Sequence, residues 1–267
     1  MDQLLLATYS LDNLLSYRRY AEQIGCGLEL HTFTEPAVLA GDVNGMVEAH
    51  RRQLDGFEGL LGFHGAFYDM ASASLDPAVV ALTLERYRQN LEIAARLRGT
   101  YVVFHANYMG GFKLVNYRPG WHERQVKFWR AFAAEAAAHG IYILLENMWA
   151  DDPTIIVDIL REVGSPYLKA CLDFAHATLF SPYSLDVWID TLAPYVFCCH
   201  LNNNDGKMDL HWPLGQGVIP YEMVLTRLRH LPCTPFMTLE MPDLHVIQES
   251  VGFFRLPVPV ELPRHLP

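Results

Sequence analysis

Short apolar runs alternate with segments of helical periodicity along almost the whole chain. Several of these runs, such as YVVFH, IYILL and YVFCCH, are almost uninterrupted, as expected of strands covered on both faces. Regular alternation of strands and helices predicts a parallel sheet. In a chain of 267 residues, eight strand–helix repeats predict a single domain of class α/β, a (β/α)₈ TIM barrel, which typically needs about 250 residues.

The predicted strands lie near residues 3–7, 27–31, 59–64, 101–105, 141–145, 168–172, 195–200 and 235–240. The predicted helices lie near 11–24, 42–55, 76–98, 121–139, 153–163, 184–193, 220–231 and 243–254. The barrel then spans residues 1–255, and the proline-rich segment 256–267 forms a tail. We expect no membrane span and no signal peptide, because the first apolar run is short and follows no basic region. A cytoplasmic location is expected.

Residue types that bind metals recur where the predicted strands end. Nine of them form one series along the chain: His64, His105, Glu146, Asp173, His176, His200, Asp209, His211 and Glu240. The carboxyl ends of barrel strands converge on one mouth, so these side chains are expected to meet there. Imidazoles with carboxylates, and no cysteine, suit Zn²⁺ or Mn²⁺. The series therefore predicts a metalloenzyme.

One group of the series comes from predicted strands five to eight: Glu146, Asp173, His200 and Glu240. We expect it to bind one ion; the competing interpretation is that each residue caps a helix or pairs with a neighbour. His64 and His105 would bind a second ion together with Glu146. Glu146 would then bridge two ions about 3.5–4 Å apart, the spacing of two-metal hydrolysis.

His176, Asp209 and His211 form the remaining group. Asp209 and His211 are two residues apart, so an extended loop would turn both side chains to the same side. A third metal ion could be bound there. The alternative is that His176 contacts the substrate while Asp209 belongs to a loop salt bridge.

Substrate contacts are predicted outside the ligand series. The candidates are Asn147 and Asn202, which follow ligand strands and could either orient a ligand or bond the substrate, and Tyr108 and Lys113 in the long loop 106–120, a plausible substrate lid. Glu29 and His31 end the second strand and could reach the site, but we leave them outside the predicted set. The remaining histidines considered are expected to be solvent-exposed: His50, His122, His139, His230 and His265.

The formal net charge of −10 disfavours nucleic acid as a partner, because duplex binding requires a basic surface. The odd number of cysteines, five, indicates reduced thiols rather than disulfides. We expect a small molecule as the ligand, and the sequence does not predict an oligomeric state.

The motifs HGxF, VFHxxY, LEN, CLDxxH, HLNNNDG, DxHxPLGxG and LE resemble those of the xylose-isomerase-like TIM barrels. That superfamily includes endonuclease IV-type apurinic-site endonucleases and sugar or sugar-phosphate isomerases and epimerases. The resemblance runs from about residue 27 to residue 242. The combination of CLDxxH with a later DxHxPLGxG is its most specific part.

The two branches of the superfamily imply different chemistry. Resemblance to the isomerases and epimerases implies one Mn²⁺, Mg²⁺ or Co²⁺ ion on the group from strands five to eight, with Glu146 and Glu240 moving a proton between substrate carbons. Resemblance to the endonuclease IV-type enzymes implies that all nine residues hold three Zn²⁺ ions. Glu146 or Glu240 would then orient or deprotonate the attacking water.

We favour the second interpretation, a zinc-dependent phosphoester hydrolase with two to three ions. An isomerase or epimerase with one divalent ion is the alternative. A DNA endonuclease is less favoured, because Lys113 and Arg118 are the only basic residues of the loop 106–120. A smaller phosphorylated or nucleotide-like substrate is expected instead. A non-catalytic scaffold would gain nothing from ligands on six strand ends.

Overall fold

The computed structural model describes residues 1–111 and 114–257, and it confirms the predicted barrel. Eight parallel strands pair in sequence order, and the last pairs with the first to close the sheet. The strands are Gln3–Thr8 (β1), Gly27–Leu30 (β2), Leu61–His64 (β3), Tyr101–His105 (β4), Tyr142–Glu146 (β5), Leu168–Asp173 (β6), Val196–Leu201 (β7) and Phe236–Leu239 (β8). Each lies within two residues of its predicted position.

Ten α-helices lie within the described residues. They are Leu11–Ile24 (α1), Pro36–Ala40 (α2), Val43–Gln53 (α3), Pro77–Arg96 (α4), Tyr117–His139 (α5), Thr154–Val163 (α6), Phe174–Phe180 (α7), Leu185–Leu192 (α8), Tyr221–Arg229 (α9) and Leu244–Ser250 (α10). The prediction of eight helices missed α2 and α7, which have five and seven residues and are too short to show helical periodicity.

The loop after β4 is shorter than predicted. It ends at Asn116, whose φ of 62° precedes the first turn of α5, so residues 117–120 are helical rather than part of a lid. Lys113 and the tail residues 258–267 lie outside the described residues. No helix in the described ranges is both long enough and apolar enough to cross a membrane.

The barrel interior contains a small apolar cluster below the mouth, formed by Leu5, Tyr101, Val103, Leu144, Cys171 and Cys198. Side chains along a strand alternate between two faces, so every second residue points into the barrel. Two residues further along four of these strands come His105, Glu146, Asp173 and His200. The same inward-facing positions are therefore apolar deep in the barrel and occupied by metal-binding residue types at its mouth.

Candidate metal centre

Glu146, the last residue of β5, lies at the centre of the mouth and is almost completely buried. Its Oε2 atom lies 3.3 Å from Nε2 of His64 and 3.2 Å from Nε2 of His105. Its Oε1 atom lies 2.9 Å from Nδ1 of His176. Burial raises the pKa of this carboxyl, but the surrounding imidazoles, His105 and His200 foremost, outweigh burial and hold the pKa well below its usual value. The two oxygens of this carboxylate therefore face different histidines, so each oxygen could contribute to a separate metal site.

His200 brings the ends of β5, β7 and β8 together. Its Nδ1 atom lies 3.2 Å from Oε2 of Glu240 and 3.6 Å from Oε2 of Glu146. Asp173 lies on the other side of Glu146, where Glu146, Asp173 and His176 each offer a ligand atom within 4.8 Å of the others. Burial and the nearby carboxylates, led by Glu146, raise the pKa of Asp173 to about 6, against the opposing effect of His176.

Asp209 joins two histidines at the outer edge of the site. Its Oδ2 atom lies 3.4 Å from Nε2 of His176 and 3.4 Å from Nε2 of His211. Burial lowers the pKa of both imidazoles, but the carboxylates around them outweigh this effect, so that the pKa of His176 is well above its usual value and that of His211 is about 9. Asp209 and His211 are half-buried, so this group is the part of the site nearest solvent.

The spacing of these groups fits a bound ion better than direct ion pairs. Two ligand atoms on one tetrahedral zinc, each about 2.0–2.1 Å from the metal, lie about 3.3 Å apart. Except for the pair of His176 and Glu146, the imidazole–carboxylate pairs described above are separated by 3.2–3.6 Å. Charge-assisted hydrogen bonds are shorter, about 2.7–2.9 Å. Nδ1 of His200 and Oε2 of Glu240 are buried and have no hydrogen-bond partner within the described residues.

The protonation of two histidines also suits metal binding. Nδ1 of His64 donates to the carbonyl of Gly65 at 2.9 Å, and Nδ1 of His211 donates to the carbonyl of Glu240 at 2.6 Å. In the neutral ring each leaves Nε2 unprotonated and facing a carboxylate, as in metal sites whose ligands are oriented by a second hydrogen bond. Among the described residues, no lysine or arginine forms an ion pair with the site carboxylates.

Asn147 and Asn202 are buried and contact Asp173 rather than open space. The amide of Asn147 donates to the carbonyl of Asp173 at 2.9 Å and accepts its N–H at 2.7 Å. Nδ2 of Asn202 lies 3.4 Å from Oδ2 of Asp173. Both ends of the Asn147 amide are therefore engaged, which favours the role of orienting Asp173 over that of contacting the substrate. Oδ1 of Asn202 has no described partner, so that side chain keeps an acceptor.

The predicted contacts from the long loop are less direct. Tyr108 is buried against Trp121 and Tyr117 of α5, with ring centroids 4.9 and 5.4 Å apart. Its substrate contact remains a prediction, as does that of Lys113. Nη1 of Arg118 lies 2.9 Å from Oδ2 of Asp152, so its positive charge is paired with a carboxylate just before α6.

Two residues left outside the predicted set lie in the site. Glu29 of β2 is completely buried, and its Oε1 atom lies 3.0 Å from Nε2 of His200. His31, two residues later in the chain, places its Nε2 atom 2.9 Å from the same oxygen. The signal that could have identified Glu29 is a charged residue in the middle of a short strand buried on both faces.

The expected exposure of the remaining histidines holds only in part. His139 and His230 are exposed, and His122 is half-buried beside Glu162 at 2.9 Å. His50 is completely buried, contrary to expectation, because its Nδ1 atom donates to the carbonyl of Met46 and its ring packs on Phe33. His265 lies outside the described residues.

Comparison with known proteins found chains of the same fold. The zinc chloride-soaked TTHB071 protein from Thermus thermophilus is 29% identical, with a TM-score of 0.73 over 96% of this chain and 100% of that one. A D-tagatose 3-epimerase-like protein is 21% identical, with a TM-score of 0.76 over 94% of each chain. An uncharacterised protein of Methanocaldococcus jannaschii is 26% identical over 71% of this chain and 67% of its own length.

The family model described as the xylose isomerase-like TIM barrel matches residues 44–256. The matched region runs from α3 to beyond α10 and includes every residue of the predicted ligand series. It begins after β2, so Glu29 and His31 lie outside it. The chain belongs to the xylose isomerase-like TIM barrel family.

Proposed function

We propose that this protein is a zinc-dependent phosphoester hydrolase acting on a small phosphorylated or nucleotide-like substrate. The observation that carries the proposal is the outer group, in which Asp209 lies 3.4 Å from both His176 and His211. A single-ion isomerase needs only the inner residues from β5 to β8. An outer group in which two imidazoles face one carboxylate favours a site for more than one ion, and several ions together suit phosphoester hydrolysis.

The proposed roles of the side chains differ with how deeply each is buried in the site. Bound zinc would supply Lewis acidity toward phosphate oxygens and toward water. Glu146 is more deeply buried than Glu240 and would act mainly in holding zinc. Glu240 follows β8 directly and is slightly more exposed, so its carboxylate would accept a proton from the attacking water or orient that water. Nδ1 of His200 lies 3.2 Å from this carboxylate, so both could bind the same ion.

A cleft beside the metal site supports a small substrate with an apolar part. Met109, Trp149 and Phe180 expose their side chains there and line a volume of about 780 Å³. The Phe180 ring lies 6.1 Å from the ring of His176, so the cleft adjoins the ligand series. A phosphate at the metals would leave a sugar or base near these side chains, where aromatic rings favour stacking.

Two substitutions test the proposal on the purified protein. Asp209→Ala and His64→Ala should each lower the zinc content and abolish hydrolysis of bis(p-nitrophenyl) phosphate, because each removes a ligand atom from a different part of the site. His139→Ala, on the exposed end of α5, serves as the matched control and should change neither quantity. The proposal fails if both site variants keep the metal content and activity of the wild type.

The alternative is a sugar or sugar-phosphate isomerase or epimerase with one divalent ion. The structural similarity to a D-tagatose 3-epimerase-like protein favours it, as does the compact inner group around His200 and Glu240. Proton transfer between neighbouring carbons would exchange a substrate C–H hydrogen with solvent deuterium. Exchange on any ketose of a panel, without phosphoester hydrolysis, would favour this alternative; its absence throughout would count against it.

A further inference from the structure

A buried carboxylate below the metal site has no role in the proposed function. Glu29 lies on β2 with its side chain inside the barrel, and none of its surface is exposed. Placing an unpaired carboxylate there would cost several kcal/mol or more, because an ion loses its hydration in a medium of low dielectric. Such a group is stable only if its oxygens face donors.

Four donors surround this carboxylate, one from just after β2 and three from other strands. Oε1 lies 2.9 Å from Nε2 of His31 and 3.0 Å from Nε2 of His200. Oε2 accepts hydrogen bonds from the hydroxyls of Tyr101 at 2.6 Å and Thr238 at 2.9 Å. Both oxygens of Glu29 therefore face groups that can donate a proton.

We propose that Glu29 is the positioning residue of the metal centre, acting through His200. Nε2 of His200 lies 3.0 Å from Oε1 of Glu29, without an aligned hydrogen bond in this structure, and the carboxylate is the acceptor within reach of a proton on Nε2. Nδ1 is then the unprotonated nitrogen, and it faces Glu240 at 3.2 Å and Glu146 at 3.6 Å. A carboxylate that fixes the tautomer and ring angle of a ligand histidine strengthens metal binding.

The same oxygen positions a second histidine at the mouth. Nε2 of His31 also faces Oε1 of Glu29, which leaves Nδ1 of His31 on the side of Glu240, 3.9 Å from its Oε1 atom. The His31 ring is held between Tyr9 and His64, with centroids 4.7 and 4.9 Å away. Glu29 thus sets the orientation of two imidazoles on either side of Glu240.

This inference rests on the proposed metal centre, although it does not depend on which reaction the centre catalyses. The test therefore measures metal binding by the full chain and does not use activity. Glu29→Gln removes the charge, while Thr238→Val is the matched control: it removes a hydrogen bond to the other oxygen of Glu29 and touches neither histidine. Zinc affinity is measured by competition with a chromophoric chelator, and ligand geometry by the absorption spectrum of the Co²⁺-loaded protein.

Glu29→Gln should weaken zinc binding by about 10–100-fold, as loss of a partner behind a ligand histidine does elsewhere, and should alter the Co²⁺ spectrum. Thr238→Val should bind zinc like the wild type. Because a structural role would lower stability alone, thermal unfolding of all three proteins is compared in excess chelator. If Glu29→Gln does not fold, Glu29→Asp is used; its shorter side chain withdraws the oxygen from His200 and should also weaken binding.

The outcomes separate this inference from the proposed function. A wild-type protein that binds no divalent metal contradicts both. A wild-type protein that binds zinc, together with a Glu29 variant of equal affinity and unchanged Co²⁺ spectrum, contradicts the positioning role and leaves the proposed function intact. A Glu29 variant that loses thermal stability in chelator but keeps its zinc affinity also contradicts it.

Discussion

His211 shows how much of the site is determined by single residues. It adopts a left-handed backbone conformation with a φ of 49°, which costs energy for a residue that has a Cβ atom. This conformation is accompanied by the bond from its Nδ1 atom to the Glu240 carbonyl, which directs Nε2 toward Asp209. A sequence pattern can identify DxH as a ligand pair, but the tautomer depends on a carbonyl at the end of β8, 29 residues away.

The first prediction concerns pH. In the metal-free site, the pKa of His211 is about 9 and that of Asp173 about 6, both raised by the carboxylates around them and, for Asp173, first by burial. A metal must displace these protons, so its affinity should rise as the pH increases toward 9 and fall steeply below 6. Chelator competition between pH 5 and pH 9, with proton release recorded in weak buffer, measures this. An affinity that is constant over the range would contradict the account.

The second prediction concerns Asn147. Asn147→Ala removes two buried hydrogen bonds to the backbone of Asp173 and should lower the free energy of unfolding by about 1–3 kcal/mol. It should also weaken zinc binding, because Asp173 loses its fixed orientation. Urea unfolding in chelator and zinc competition measure the two effects. Asn44→Ala, at an outer position of α3 remote from the site, is the control, and equal behaviour of the two variants would argue against the orienting role.

At the scale of elements, the absence of a side chain at one position of β3 leaves space for a ring of β4. Gly62 faces the ring of Tyr101, and a Cβ atom at position 62 would overlap that ring. Tyr101 in turn donates to Glu29 from inside the barrel. The absence of a side chain on one strand is thus connected, through one ring, to the position of a carboxylate on another.

The third prediction follows from that contact. Gly62→Ala should destabilise the protein by about 1–3 kcal/mol, the usual cost of overpacking, and should leave zinc binding unchanged, because Tyr101 bonds Oε2 of Glu29 and not the oxygen that faces His200. Gly252→Ala is the matched control, since a Cβ atom there meets no neighbour within 4 Å. Urea unfolding and zinc competition are compared for both variants. Loss of zinc affinity in Gly62→Ala would contradict this expectation, because it would show that the Tyr101–Glu29 contact affects the metal site.

The elements differ in how far the sequence determines them. The strands were predictable because each is an apolar run between turn residues, and the ligand series was predictable because strand ends converge in a barrel. Helix α7 could not be predicted, because its seven residues are too few and follow β6 without a loop. Its N-cap is Asp173, which the sequence identified as a ligand and which also accepts the N–H of His176. Glu29 could not be predicted either, because three of its four partners belong to β4, β7 and β8 and become its neighbours only when the barrel is assembled.

At the scale of the molecule, a buried ion pair joins the two ends of the described chain. Asp2, before β1, accepts from Nε and Nη2 of Arg229 at 3.0 and 2.6 Å and from the backbone N–H of Arg255 at 2.8 Å. The contact fixes the start of the barrel to the end of α9 and to the segment after α10. It lies at the opposite end of the strands from the metal centre, so it should affect stability without affecting chemistry.

The fourth prediction is that Asp2→Asn lowers the free energy of unfolding at neutral pH by about 1.5–3 kcal/mol, the worth of hydrogen bonds to a charged group. Burial raises the pKa of Asp2, but the bonds from Arg229 and Arg255 outweigh it, so the pKa lies below its usual value. The stabilisation is therefore present above the unfolded-state pKa of about 3.9 and is lost as the pH falls through the lower folded value. Urea unfolding of both proteins at pH 7 and pH 3 measures this; an equal difference at both pH values would contradict it.

The central claim is that the mouth of this barrel holds more than one zinc ion. The most direct measurement is the metal content, by elemental mass spectrometry, of protein purified without chelator and without added metal. The account predicts two to three zinc ions per chain, bound by the inner groups around Glu146 and the outer group around Asp209. A single manganese, magnesium or cobalt ion, or no bound metal, would contradict it.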